Sequence, residues 1–207
     1  MEGRRERKKQ QTRQAISDVA TALFLERGFD AVTVAEVARA ADVAVQTVFN
    51  HFPTKEDLFF DEQGWWQGPA RAIRAASAGA DPVDLLEAHY LAEIRERLEA
   101  GHLATWQQFV RTIEDSPALL ARRRLNAAEM ETLLTEALEE RNAGHLTYRL
   151  IAAQFVAAQK VLEEELMRLL PDNATADQLK QVERDLEHAT AQVFGVLRHG
   201  LLTATTD

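Results

Sequence analysis

Thr33–Lys55 reads TVAEVARAADVAVQTVFNHFPTK, two short helical patterns joined by a tight turn and closed by a proline-ended loop. Thr33 stands as an N-cap with Glu36 three positions on, the spacing of a reciprocal capping box that satisfies two otherwise unpaired backbone donors. Val34, Val37, Ala38 and Ala41 then recur at helical spacing, and Ala38 is small where a second helix must cross closely. Asp42 makes the turn, because Asp tolerates the left-handed conformation better than most residues. Val43, Val48, Phe49 and Phe52 give the following helix an apolar side directed at the first, and its other side carries Gln46, Thr47, Asn50 and His51. The pattern is a helix-turn-helix.

A second helix laid in the major groove reads bases with residues near its N-terminus. Gln46 and Thr47 sit there; Gln pairs bidentately with adenine N6 and N7, and a Thr methyl suits a thymine methyl. Thr33, Val45, Gln46, Thr47, Asn50 and His51 form the candidate groove-facing set, with Lys55 at the following helix start where a phosphate would pass. The same residues also suit an ordinary tight helix pair with a solvated polar face, and taken alone they leave both readings open.

Upstream, Ile16, Val19, Ala20, Leu23 and Phe24 follow the spacing of one apolar helix face. Gly28 is expected to end that helix in a Schellman arrangement, with Phe29 packing back on Phe24. Before it lies a polar arm carrying Arg4, Arg5, Arg7, Lys8, Lys9 and Arg13 against Glu2 and Glu6. Such an arm is expected to be disordered and solvated, and beside a helix-turn-helix it also suits phosphate contact. The net charge of −9 argues against a nucleic-acid binder until it is divided along the chain. Met1–Lys55 holds nine Lys and Arg against seven Asp and Glu, so the acid lies downstream.

The run from Thr12 to Leu58, with ISDVATALFLERGFDAVTVAEVARAADV followed by TVFNHFPTKEDL, resembles the DNA-binding domain of tetracycline-repressor-type (TetR family) transcriptional regulators. Two positions depart from the family pattern. Ala44 stands where the family usually has a capping serine, a cap worth about 1 kcal/mol, and Phe49 replaces a frequent tyrosine whose hydroxyl would meet a phosphate. The resemblance implies a homodimeric, ligand-responsive repressor that binds a palindromic operator on double-stranded DNA and is released by a largely apolar small-molecule effector. It implies no catalytic activity and no cofactor. The expected fold is all-α with about nine helices. Residues 1–54 hold the basic arm and the three-helix DNA-binding domain, and residues 55–207 form a larger helical domain for effector binding and dimerisation.

Within that larger part, the helix capped by Thr54 is expected to act as connector and to kink or break at Gly68-Pro69. Asp81 and Pro82 read as N-cap and first residue of another helix, as do Ser116 and Pro117. Gly101 and the Asn142-Ala143-Gly144 and Pro171-Asp172-Asn173 runs mark stops between long amphipathic stretches. Trp65, Trp66, Tyr90, Trp106, Phe109, Ile113, Met130 and Phe155, with His89, Gln107 and Gln159 as polar groups, have the composition of a small-molecule pocket between helices, and equally of a core. Leu179, Val182, Leu186, Val193 and Leu197 line one side of the last helix. The family resemblance makes them a dimer interface; the plainer reading is that they cover their own core.

Zero cysteines remove disulfides and thiolate chemistry, and no apolar run approaches the roughly 18 residues of a membrane span. A soluble, cytoplasmic protein is expected. The six histidines (His51, His89, His102, His145, His188 and His199) show no ligand spacing, and no nucleophile elbow or phosphate loop occurs. The other readings are an activator, an effector-independent regulator, and a helical ligand carrier or enzyme, the last of which needs convergent acid/base groups in a cavity.

Overall fold

The computed structural model describes residues 2–61, 65–77, 79–99, 103–141, 145–171 and 174–202, and every regular element among them is helical. The helices are α1 (Glu2–Arg27), α2 (Val34–Ala40), α3 (Val45–His51), α4 (Lys55–Phe59), α5 (Gly68–Ala75), α6 (Pro82–Glu99), α7 (Leu103–Glu114), α8 (Pro117–Arg141), α9 (His145–Leu169) and α10 (Ala176–Leu202), with a 3-10 turn at Trp65–Gln67. Two compact units result: Met1–Gly64 with Gln108–Arg123, and Trp65–Gln107 with Arg124–Asp207.

The first unit is built on apolar faces that the sequence spaces at helical intervals. Ile16, Ala20 and Phe24 of α1 are fully buried with Val37 and Ala38 of α2, Val48 and Phe52 at α3, and Leu58 of α4. An aromatic cluster closes this core: Phe24 lies 5.1 Å from Phe29 and 5.9 Å from Phe59, and Phe59 stacks on Phe109 at 4.5 Å, 9° from parallel. Phe109 and Ile113 of α7 and Leu119 of α8 belong to it, so the compact head extends past residue 54 to take in the aromatic end of α4 and parts of two later helices. Phe109 and Ile113 are therefore not lining for a pocket in the second unit.

Two helix ends differ in how they stop. At α1, Gly28 takes φ 83 and donates to the Phe24 carbonyl at 2.9 Å, the simpler left-handed cap rather than the expected Schellman pair. The Gln108 side chain donates to the Leu25 carbonyl at 2.5 Å, satisfying a second acceptor there. The Schellman pair occurs at α2 instead, where Asp42 (φ 53) donates to Arg39 O and Val43 to Ala38 O, at 3.3 and 2.9 Å. The basic arm is likewise not an arm but the first turns of α1, which is helical from Glu2.

In the second unit Gly68-Pro69 opens a helix rather than breaking one. Pro in the first turn loses no hydrogen bond, since the first N–H groups of a helix have no partner within it. α4 has already ended at Phe59. Gly68 also lets α5 approach α6 closely: a Cβ there would stand 3.0 Å from His89 Nε2, which would have to give way by a few tenths of an ångström. The far end of α5 is held by Arg141, whose guanidinium donates to the carbonyls of Ile73, Ala76 and Ser77 at 2.9, 2.8 and 2.6 Å. Arg198 of α10 binds Asp84 and Glu87 of α6. Asp81 caps α6 as read from the sequence, accepting from Val83 N and Asp84 N.

Tyr90, Met130 and Phe155 are buried in the core of this unit, with Trp66 and Trp106 packed against it. Gln107 is buried and donates to Leu170 O at 3.2 Å, and Gln159 is half-buried. Val182, Leu186 and Leu197 lie in the same core, and Leu179 and Val193 pack on it. Of the five residues expected at a dimer interface, Val182, Leu186 and Leu197 thus face their own core, while Leu179 and Val193 are half-buried at its edge. The Trp65 side chain, Gly101, residues 142–144 and residues 172–173 lie outside the described residues.

Candidate nucleic-acid interface

The candidate groove-facing part starts from the cap of α2. Thr33 Oγ1 accepts from Glu36 N at 3.2 Å, and the Glu36 carboxylate accepts from Thr33 N at 2.8 Å and from Arg27 at 2.9 Å. The Thr33 backbone N–H, then its hydroxyl and Arg27, hold the half-buried Glu36 carboxyl down at about 2. The capping box thus acts with α1, through Arg27, to set the start of α2.

α3 has no such support at its start. Its N-cap is Ala44, which makes no side-chain bond, as the missing serine implied. The helix is held by its other end. Val48 and Phe52 are buried, and Arg13 of α1 donates to the His51 carbonyl at 2.5 Å while lying 4.1 Å over the Phe52 ring. What α3 leaves exposed is Val45, Gln46, Phe49 and Asn50, with Thr47 and His51 half-buried. Phe49 is 42% exposed and does not face α2; one helical step of 100° from Val48 turns it away from the core. Gln46 Nε2 donates to Asn50 Oδ1 at 3.1 Å.

Two basic residues assigned to phosphate contact have other partners. Arg13 pairs with Asp61 as well as with His51 O, so its guanidinium ties α1 to the ends of α3 and α4. Lys55 Nζ donates to Phe29 O at 2.6 Å and lies 4.1 Å over the Phe29 ring. Burial pushes this ammonium down, against the opposing pull of Asp30, Glu56 and Glu36. Spacing cannot reveal either role, because both partners are distant in sequence.

Arg4, Arg5, Arg7, Lys8 and Lys9 are exposed on the first turns of α1. In the first turn Arg4 and Arg5 oppose the helix dipole, so their placement works against local stability and suits an anionic partner. Burial first, then the charges of Arg13 and Lys9, holds the His51 imidazole below its usual range, with Asp61 opposing; the basic turn therefore acts electrostatically on the end of α3. Replacing Arg4, Arg5, Lys8 and Lys9 by Gln is expected to weaken binding to all DNA sequences alike. The slope of log K against log salt should flatten by about 0.9 for each phosphate that is no longer neutralised, and an unchanged slope in anisotropy titrations would show this turn to be idle.

A small helical head with an exposed seven-residue helix beside a basic helical end is a helix-turn-helix DNA-binding unit. Residues 16–61 match the family described as bacterial regulatory proteins, tetR family. The chain is 29% identical over 172 residues to the HTH-type transcriptional regulator TcmR of Streptomyces glaucescens, spanning 79% of this chain and 76% of that one. It is 37% identical over 87 residues to the HTH-type transcriptional repressor KstR of Mycolicibacterium smegmatis, 41% of this chain and 40% of that one. Among solved structures, NalD, the secondary repressor of the MexAB-OprM multidrug efflux pump in Pseudomonas aeruginosa, shares the fold with a TM-score of 0.59 at 20% identity, over 90% of this chain and 96% of that one. Residues 16–61 are thus a DNA-binding domain of the tetR family of bacterial regulatory proteins, and the chain is a DNA-binding transcriptional regulator similar to members of that family. No helix among the described residues is long and apolar enough to cross a membrane.

Proposed function

We propose that the protein is a homodimeric repressor that binds a palindromic operator, is released by a small-molecule effector and has no catalytic role. The observation that carries the dimer is the second unit's outer surface. Leu146, Leu150 and Val161 on α9 are 80, 43 and 52% exposed, and Val196 on α10 is 73% exposed. On α9 these three lie at spacings of four and eleven, one face of a helix. A second copy covering this face would bring two α3 helices to one operator, as successive major grooves of one DNA face require.

In this reading residues 1–54 bind the operator and residues 55–207 serve effector and dimer, in the cytoplasm beside the chromosome. KstR and NalD are named as repressors, which supports the direction of control. The effector would enter the second unit, where the Tyr90 hydroxyl and both carboxamide atoms of Asn126 are buried without a hydrogen-bond partner among the described residues. Buried polar groups are ordinarily satisfied, so these atoms suit a ligand carrying hydrogen-bonding groups on an apolar frame. An effector-independent regulator is favoured by one observation: the cleft lined by Leu91, Ile94 and Leu186 has room for about one water.

The test is selection of operator sequences from genomic DNA, followed by native mass spectrometry of the complex and transcription from a promoter that carries the site. Half-sites centred one helical turn apart, about 34 Å, or a multiple of it, an even number of chains per site and lowered transcription support the proposal. One chain on one asymmetric site would sink the dimer, and raised transcription would make the protein an activator.

A further inference from the structure

The exposed face of α3 contains a contact within itself, between Gln46 Nε2 and Asn50 Oδ1 at 3.1 Å. We propose that Asn50 is a positioning residue for base reading: by holding one N–H of Gln46 it makes Gln46 accept adenine and refuse guanine. The inference rests on α3 being the groove-facing helix and adds what that helix discriminates.

The reasoning is a count of donors. A glutamine carboxamide has two N–H bonds and one acceptor oxygen. In the major groove adenine offers the N7 acceptor beside the N6 donor, whereas guanine offers two acceptors, N7 and O6. A freely turning glutamine can direct both N–H bonds at guanine. With one held by Asn50, Gln46 has one donor and one acceptor left, which is the complement of adenine. Guanine would then set its O6 against Gln46 Oε1, two acceptors facing each other in a site closed to water.

The surroundings keep the contact in place. Asn50 lies one turn beyond Gln46 on the same helix, so the pair is formed before DNA arrives. Val45 and Phe49, 41 and 42% exposed, flank it with apolar surface. In a closed groove that surface excludes the water that would compete for Gln46 Nε2. Val45–His51 contains neither Lys nor Arg, the usual partners of guanine.

The experiment compares dissociation constants on the selected operator and on duplexes in which each A·T pair of the half-site is replaced by G·C. The chain itself should show one position of strong preference, about tenfold to hundredfold. Gln46→Ala should abolish that preference. Asn50→Leu should reduce it below about threefold, a threshold set well under the value of a good bidentate contact. Asn50→Asp keeps the acceptor for Gln46 Nε2, so it should keep the preference while its charge weakens binding to every duplex alike. Circular dichroism confirms that each variant is folded. If Gln46→Ala leaves the preference intact, α3 does not read that base and the proposal falls with that reading. If Gln46→Ala removes it but Asn50→Leu does not, or if Asn50→Asp loses it as Asn50→Leu does, α3 still reads the base and only the role given to Asn50 is overturned.

Discussion

The double substitution Leu150→Asp with Val196→Asp is expected to give a folded monomer that no longer holds its operator. Both side chains are exposed on the single chain, 43 and 73%, so the chain loses little by their replacement. In a two-fold dimer every substitution counts twice. Carboxylates taken out of water without a partner are costly, and even a partly wet interface should lose about 4 kcal/mol, roughly a thousandfold in the dimer constant. Analytical ultracentrifugation reads the result, and thermal melts separate it from unfolding. An intact dimer at micromolar concentration would mean that another face pairs. Leu186→Asp is the instructive contrast. At 1% exposure inside its own core, it should unfold the second unit rather than merely separate two copies.

Arg13→Met is expected to destabilise the DNA-binding head by about 3 kcal/mol, at the lower end for breaking a buried ion pair because Arg13 keeps some contact with water. Met retains the length that packs on Phe52 but leaves the Asp61 carboxylate unpaired, and it frees the His51 carbonyl at the end of α3. The loss should depend on pH in a defined direction. Burial already raises Asp61 above its usual range, with Ser17 and Arg13 opposing, and removing the guanidinium raises it further. The charged, unpaired form is the costly one. It dominates above the folded-state pKa and disappears as acid protonates the group. Urea melts should therefore show the gap between variant and parent shrinking as pH falls through the raised Asp61 pKa of the variant, the shrinkage being complete before pH reaches about 4, the ordinary carboxylate value. A gap that stays constant would assign the loss to the His51 and Phe52 contacts alone.

Local chemistry was legible in the sequence. The capping boxes at Thr33 and Thr54, the left-handed turn at Asp42 and the proline-led starts of α6 and α8 depend on residues within a few positions of each other, so spacing alone specifies them. The all-helical fold followed from the same periodicity. The side of a helix that meets its own core, as opposed to another molecule, was not legible. Leu186 and Val196 are both apolar residues of α10, and only packing shows that one is buried and the other exposed. The same limit applies to Arg13 and Lys55. Charge and position suggested DNA, but a cation beside aromatic rings and carbonyl groups is equally at home inside a protein. Gln108, which completes the end of α1 from α7, gave no local signal.

The uneven support of α3 bears on how such a regulator changes over generations. The contacts that keep the helix in place are Val48, Phe52 and the Arg13 bond to His51 O. The side chains that face outward, Val45, Gln46, Phe49 and Asn50, carry almost none of that load, and no cap at Ala44 ties the first turn to a particular residue. With α3 as the proposed reading helix, substitutions at those four positions would alter which DNA is recognised at little cost in folding, since surface changes away from caps and cores usually stay within about 0.5 kcal/mol. On that proposal, a duplicated copy of this chain could move to a new operator by single steps, each of which leaves a folded protein.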